Sequence, residues 1–336
     1  MGLPVTTKAL TPIWQRVLQR TSIGPDDDFF ELGGNASLAA RLFTEVAQEF
    51  GQTLPPATIC AAPTIAALAA RLETPQPRSP LVLLKAGAQR PPVFMTHGIG
   101  GSVIDLVLLA RQMQLRQPVY GMEARGNDGV EAPFDRIEDM AQFFLDSLRQ
   151  VQPRGPYFLI GYSLGGLVTL EMSQRLVQEG ERMGLLVMLD SYPERHTLPL
   201  GQHARLILQL VGKRMAEALV GGRPDRRSDA GANLGERSSD TQPDPASVRL
   251  TERVKDAQNR AWRNYRPRFY DGRVQFVRAE ISSYFPNSAA AIWERLVTKL
   301  EVETAPGDHV GMLTTHRERL ASLLSRYLGE VTGSPA

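Results

Sequence analysis

The sequence predicts a mostly parallel β-sheet covered by helices on both faces, preceded by a small all-helical domain. Three observations predict it. From Leu81 onward, short apolar runs alternate with stretches of helical periodicity, the pattern of strands joined by helical crossovers. One such junction reads Gly161-Tyr162-Ser163-Leu164-Gly165, where an apolar run passes at once into a helical segment. Before residue 74 the apolar spacing is helical, and Thr74-Pro75-Gln76-Pro77-Arg78-Ser79-Pro80 then separates the two regimes as an extended, semi-rigid spacer.

In the first 73 residues, Ile13, Val17 and Leu18 mark one amphipathic helix, followed by a loop with Ile23, Gly24 and Pro25. An acidic stretch, Asp26 to Leu32, leads through Gly33-Gly34 to a second helix with Leu38, Leu42, Val46 and Phe50 at i,i+4. Pro63 opens a last helix near its first turn. The expected unit is a three- or four-helix bundle over residues 1–73, with a linker over 74–80 and a larger domain over 81–336.

In the larger domain, strands are expected at Leu81 to Leu84, Val93 to Thr96, Val119 to Met122, Tyr157 to Ile160, Leu185 to Leu189 and Val274 to Val277, with a last strand at Leu300 to Thr304. Helices are expected around Val103 to Met113, Arg136 to Val151, Leu164 to Gln178 and Gly311 to Tyr327, with Gly180 able to end the third. Composition narrows the function classes. The chain has 336 residues, 42% apolar content and a net charge of +2 with both signs interspersed, which is not a nucleic-acid surface. Its one cysteine, Cys60, excludes a disulfide framework or a cysteine-based zinc site, and its small apolar neighbours predict a buried, inert thiol. No apolar run reaches the roughly 18 residues of a membrane span, and the N-terminus lacks the blocks of a signal peptide. The expectation is a soluble cytoplasmic protein with no metal, nucleic-acid or membrane partner.

A strand, a sharp turn bearing Gly-x-Ser-x-Gly and a helix make the context of a nucleophile elbow, so the specific form expected is an α/β-hydrolase with Ser163 as nucleophile. In that fold the order is nucleophile, acid, histidine. His309, in the Gly-rich loop Ala305 to Met312 before the final helix, is the histidine placed to serve. His316 falls inside the following helix, and His196 and His203 come too early. Asp190, directly after an apolar strand, is the acid; Glu280 is the runner-up, and Asp308 is too close in sequence to His309. The oxyanion hole is expected from the backbone N–H of Leu164 and of Ile99, the latter in the loop His97-Gly98-Ile99-Gly100-Gly101. His97 itself reads as structural.

Asp-Asp-Phe-Phe-Glu-Leu-Gly-Gly at 27–34 and Pro-Thr-Ile-Ala-Ala-Leu-Ala at 63–69 resemble the carrier domain of nonribosomal peptide synthetases. The resemblance implies a 4′-phosphopantetheine cofactor on a serine two residues after the Gly-Gly pair. Ala36 stands there instead, without a hydroxyl to accept the phosphodiester. Either the carrier is naturally silent or its serine has been replaced; Ser37 as a shifted attachment point is the remaining alternative.

Pro-Pro-Val-Phe at 91–94, His-Gly-Ile-Gly-Gly, Gly-Tyr-Ser-Leu-Gly-Gly, Gly-Asp-His and Asn264-Tyr265-Arg266-Pro267 resemble the type I thioesterase that terminates nonribosomal peptide and polyketide assembly lines. That family's triad carries over onto Ser163, Asp190 and His309, and its lid onto an insertion at about 195–262, whose part 221–245 is almost free of apolar residues and expected to be mobile. The implied function is release of an acyl or peptidyl chain from a carrier-bound thioester through an acyl-Ser163 intermediate, by hydrolysis or macrocyclisation. The implied partners are the thioester substrate, upstream synthetase or synthase modules and the chain's own carrier. A serine esterase or lipase acting on free esters, or a silent docking module, are the alternatives.

Overall fold

The computed structural model describes residues 5–74, 79–194, 245–281 and 292–333. Most of the expected insertion (195–244, with His196 and His203) and linker residues 75–78 lie outside them.

The N-terminal unit contains α1 (Val5–Leu18), α2 (Ala36–Phe50), a one-turn α3 (Thr58–Ala61) and α4 (Ile65–Glu73). Helix α2 starts where it does because the extended Asn35 offers its side-chain oxygen to Leu38 N–H at 3.0 Å. It stops at Gly51, whose left-handed backbone returns its N–H to Ala47. Thr64 caps α4 in the same way, so Pro63 precedes the helix instead of sitting in its first turn. The Pro63 carbonyl instead accepts Phe29 N–H at 2.7 Å, tying the entry of α4 to the acidic loop. Leu10, Trp14, Phe29, Leu42, Val46, Ile59, Ile65 and Leu68 fill the core. Cys60 is buried, and that burial pushes its thiol pKa well up, as expected of an inert cysteine.

Among the described residues the larger unit is built on seven strands: β1 (Leu81–Lys85), β2 (Val93–Thr96), β3 (Val119–Met122), β4 (Tyr157–Tyr162), β5 (Met183–Leu189), β6 (Tyr270–Ala279) and β7 (Val297–Ala305). They lie in the order β1-β3-β2-β4-β5-β6-β7. Among these described strands, only the edge strand β1 is antiparallel to its neighbour; every other pairing is parallel. Successive side chains of a strand point to opposite faces. Phe158, Ile160, Val187 and Leu189 therefore enter one apolar cluster, and Tyr157, Leu159, Leu186 and Met188 the other. The first cluster is closed by α5 (Val107–Gln112) and the C-terminal α9 (Arg317–Thr332), the second by α6 (Ile137–Val151) and α7 (Leu164–Gln178). Burial on both faces explains why the central strands read as unbroken apolar runs. A 3₁₀ turn, Ile104–Leu106, precedes α5 where a single helix was expected. Between β5 and β6 the described chain includes α8 (Pro245–Asn264), the helical end of the insertion.

The last helix departs from expectation by about two turns, beginning at Arg317 and not near Gly311. Residues 308–316 instead form successive turns, with Gly307 left-handed at φ 85° and Asp308 Oδ1 accepting Gly311 N–H at 2.7 Å. His316 therefore precedes the helix and is not inside it.

The two units touch where α3 meets β1, where α2 meets α8, and through the acidic loop. Arg111 on α5 donates to Asp28 Oδ2 at 2.8 Å, and its guanidinium lies 5.0 Å from the Phe30 ring centroid. No described helix is long and apolar enough to cross a membrane.

Candidate active site

Strand β4 ends in the elbow. Ser163 has φ 55° and ψ −121°, a strained backbone held by its N–H bond to Leu189 O at 2.9 Å. Glycine is required on either side: a Cβ on Gly161 would lie 2.3 Å from the Gly165 carbonyl oxygen, and one on Gly165 2.4 Å from that of His97. The turn lifts Ser163 above the carboxyl end of the sheet, where a doubly covered parallel sheet places its ligands.

Asp190 follows β5, the neighbouring strand, in a left-handed conformation with φ 44°. Its N–H bonds to Val277 O at 2.7 Å, and its Oδ1 accepts Ala279 N–H at 3.1 Å. The other carboxylate oxygen, Oδ2, accepts the Nδ1–H of His309 at 2.7 Å across 119 positions of sequence. A carboxylate can only accept, so this bond fixes the His309 tautomer and leaves Nε2 with a lone pair. Ser163 Oγ makes no hydrogen bond among the described residues. Glu280, the alternative acid, is exposed beyond the end of β6, and among the described residues only its backbone N–H is engaged, by Ala305 O.

Tyr162 is a contributor that sequence reasoning missed. Its ring stacks on His309 with centroids 4.8 Å apart, and its hydroxyl donates to the His309 carbonyl at 2.8 Å. Burial, and the Asp190 charge beside it, push the Tyr162 pKa far up, so it acts as a fixed donor. The one available signal was its place between Gly161 and Ser163. His316, which has no place near the chemistry by sequence, packs its ring against Gly307 so closely that a Cβ there would meet it at 2.6 Å. It thereby shapes the loop that carries His309.

The loop after β2 runs over Ser163: a Cβ on Gly98 would lie 3.3 Å from Ser163 Cβ. Among the described residues the Ile99 N–H has no hydrogen-bond acceptor, and the Leu164 N–H, first of α7, has none within the helix. His97 is buried and donates Nδ1–H to the Gly98 carbonyl at 2.7 Å, and burial depresses its pKa to about 4. It is a neutral, structural histidine.

Behind this loop, Glu123 is buried and accepts Val103 N–H and Asn127 Nδ2–H, each at 2.7 Å. Burial outweighs both hydrogen bonds and raises its pKa from 4.5 to about 7. A pKa raised by folding means that the stability Glu123 contributes is complete below about pH 4.5 and is lost as pH rises through about 7. Each pH unit in that window removes up to about 1.4 kcal/mol. Buried His97, with its pKa lowered to about 4, contributes a slope of the opposite sign over much of this window, so the quantity to follow is the difference between wild type and Glu123→Gln: in urea unfolding from pH 4.5 to 8 that difference is expected to change by the Glu123 slope. An unchanged slope in the variant would mean that Glu123 is ionised throughout.

In the N-terminal unit, Ala36 is the first residue of α2 and half-buried, and Ser37 beside it is exposed.

Comparison with known proteins agrees with both halves of this architecture. Residues 91–328 match the thioesterase domain family and residues 8–72 the phosphopantetheine attachment site family. The chain is 38% identical over 194 residues to a dimodular nonribosomal peptide synthase of Bacillus subtilis, covering 57% of this chain and 8% of that protein. It is 31% identical over 275 residues to malpibaldin synthetase of Mortierella alpina, covering 80% of this chain and 5% of that one. The chain thus spans a small part of these relatives. Among solved structures, the four-domain nonribosomal peptide synthetase AB3403 superposes with a TM-score of 0.59 at 22% identity, over 98% of this chain and 26% of that one. The NocB thioesterase domain, solved in covalent complex with a fluorophosphonate nocardicin G analogue, gives 0.52 at 23% identity, over 72% and 96%. At those identities the likeness is one of fold. The chain belongs to the thioesterase domain family, carried behind a phosphopantetheine attachment domain in the arrangement of nonribosomal peptide synthetases.

Proposed function

We propose that this chain is a chain-releasing thioesterase with Ser163 as nucleophile, His309 as general base and Asp190 as the acid that orients it. The observation that carries the reading is the 2.7 Å bond between His309 Nδ1 and Asp190 Oδ2, made next to a serine on a strained elbow. His309 Nε2 takes the Ser163 proton as Oγ attacks the thioester carbonyl. The Ser163–His309 hydrogen bond closes when substrate is seated, as such contacts commonly do. Ile99 and Leu164 N–H groups receive the oxyanion, and the C–S bond breaks with His309 returning the proton to the leaving thiol. The resulting ester divides one difficult transfer into two easier ones. Water releases an acid in the second step; a hydroxyl or amine of the acyl chain releases a ring.

Helix α8 is read as part of a lid over this site. Ala36 has no side-chain hydroxyl to bond a phosphopantetheine arm, so the carrier of this chain is not loaded at that position, and a soluble thioester is the appropriate substrate. A serine esterase of free esters would have no use for a fused carrier.

Intact mass after incubation with a panel of acyl and peptidyl N-acetylcysteamine thioesters tests the reading. An acyl adduct on Ser163 is expected, with products that distinguish acid from ring by one water. Thiol release with no adduct, and equal release from Ser163→Ala, would overturn it.

A further inference from the structure

Helix α8 buries Val254, Ala257, Gln258 and Ala261, positions i, i+3, i+4 and i+7 of one face. Gln258 is the polar member of that stripe and is 1% exposed. Its Oε1 accepts the N–H of Gly100 at 2.7 Å, so a helix of the insertion is bonded directly to the loop that crosses Ser163. The approach is close enough to need glycine in the loop. A Cβ on Gly101 would lie 2.9 Å from Val254 Cγ1 and 3.1 Å from Gln258 Nε2, and φ there is 80°.

The rest of the loop is pinned at Gly101, whose N–H bonds to Gly98 O at 3.2 Å and whose carbonyl accepts Ala124 N–H at 3.0 Å. Among the described residues the Ile99–Gly100 peptide has one hydrogen bond, the one to Gln258. Two consequences follow from the covalent geometry. The Gly100 N–H is already engaged, which removes it as a competing oxyanion donor. The plane of that peptide is also fixed. The Ile99 N–H belongs to the preceding plane, held at the Gly98 carbonyl by His97 Nδ1–H and Gly101 N–H, so with the Gln258 bond both planes flanking Ile99 are held and its two soft dihedrals cannot swing that N–H.

We infer that Gln258 is a positioning residue: by holding Gly100 it sets the oxyanion donor Ile99, so that the donor is aligned when α8 is seated. This rests on the assignment of Ser163 and Ile99 above. A buried amide acting only as packing would do without a hydrogen bond to this particular peptide, and its removal would not alter the chemistry at Ser163.

A small alkyl fluorophosphonate reads the site directly. Ser163 Oγ displaces fluoride from phosphorus, its proton passes to His309, and the phosphoryl oxygen occupies the oxyanion position. In the full chain, Gln258→Leu is expected to slow the saturating rate of phosphonylation about 10- to 100-fold, part of the effect of losing one donor. The concentration for half-saturation should not change, and hydrogen exchange at Gly100 should accelerate. Gln258→Glu keeps an acceptor and so should retain the rate at low pH. Its rate should then fall as the new carboxyl ionises beside the developing negative charge, a titration absent from the wild type.

Wild-type labelling rates in Gln258→Leu, despite faster exchange at Gly100, would overturn the inference and leave Ser163 standing. If Gln258→Leu fails to fold, the pH profile of Gln258→Glu decides: no added titration overturns the role. Failure of the wild type to label would overturn the Ser163 assignment, and this inference with it.

Discussion

Ser163→Ala is expected to lower turnover of a soluble acyl thioester by on the order of 10⁵–10⁶-fold, the scale of losing the nucleophile from a hydroxyl triad. The change removes one oxygen that makes no hydrogen bond among the described residues, so nothing in the packing depends on it. The Ser163 backbone is held by its own N–H bond to Leu189 and by the neighbouring glycines, all of which the variant keeps. A left-handed alanine in place of a left-handed serine adds little strain. The circular dichroism spectrum and the unfolding midpoint should therefore match the wild type while acyl-enzyme disappears from the mass spectrum. Unchanged thioester hydrolysis in this variant would sink the nucleophile assignment outright.

The second large effect falls on the acid. Asp190→Asn should reduce turnover about 10⁴-fold, because an amide presented to His309 Nδ1 no longer enforces the tautomer that leaves Nε2 free to accept a proton. Glu280→Gln should change it less than about threefold, within the usual range for an exposed substitution. The contrast follows from placement. Asp190 is aimed at His309 by two backbone hydrogen bonds, one through its own N–H and one through Oδ1, whereas Glu280 engages, among the described residues, only through its main chain. Parallel steady-state assays of the two variants give the ranking directly. The reverse order would move the acid to Glu280.

The elements that sequence read best are those whose cause is local. Strands β2 to β5 were visible because a strand covered on both faces needs an unbroken apolar run. The elbow was visible because Gly161 and Gly165 sit where any side chain would collide with backbone. Helix α9 was placed too early because the turns at 308–316 depend on contacts that spacing does not encode. The His316 ring against Gly307 is one, and the Asp308 side chain bonding Gly311 N–H is another. Tyr162 and Gln258 went unread for a related reason. A tyrosine next to a serine, or a glutamine on an apolar stripe, has no meaning until the group it touches is known.

By itself, then, the sequence determined the α/β-hydrolase sheet with a helical bundle ahead of it, and it named Ser163, Asp190 and His309 as residues to watch. Periodicity, glycine sterics and chain order are properties of neighbouring residues, so they survive in one dimension. The tertiary structure decided which side chains meet: Asp190 with His309, Tyr162 with His309, Gln258 with Gly100. Those partners lie between 119 and 158 residues apart. They are joined by the parallel order β4-β5-β6-β7 and by the seating of α8, because hydrogen bonds act over about 3 Å of space whatever the separation along the chain.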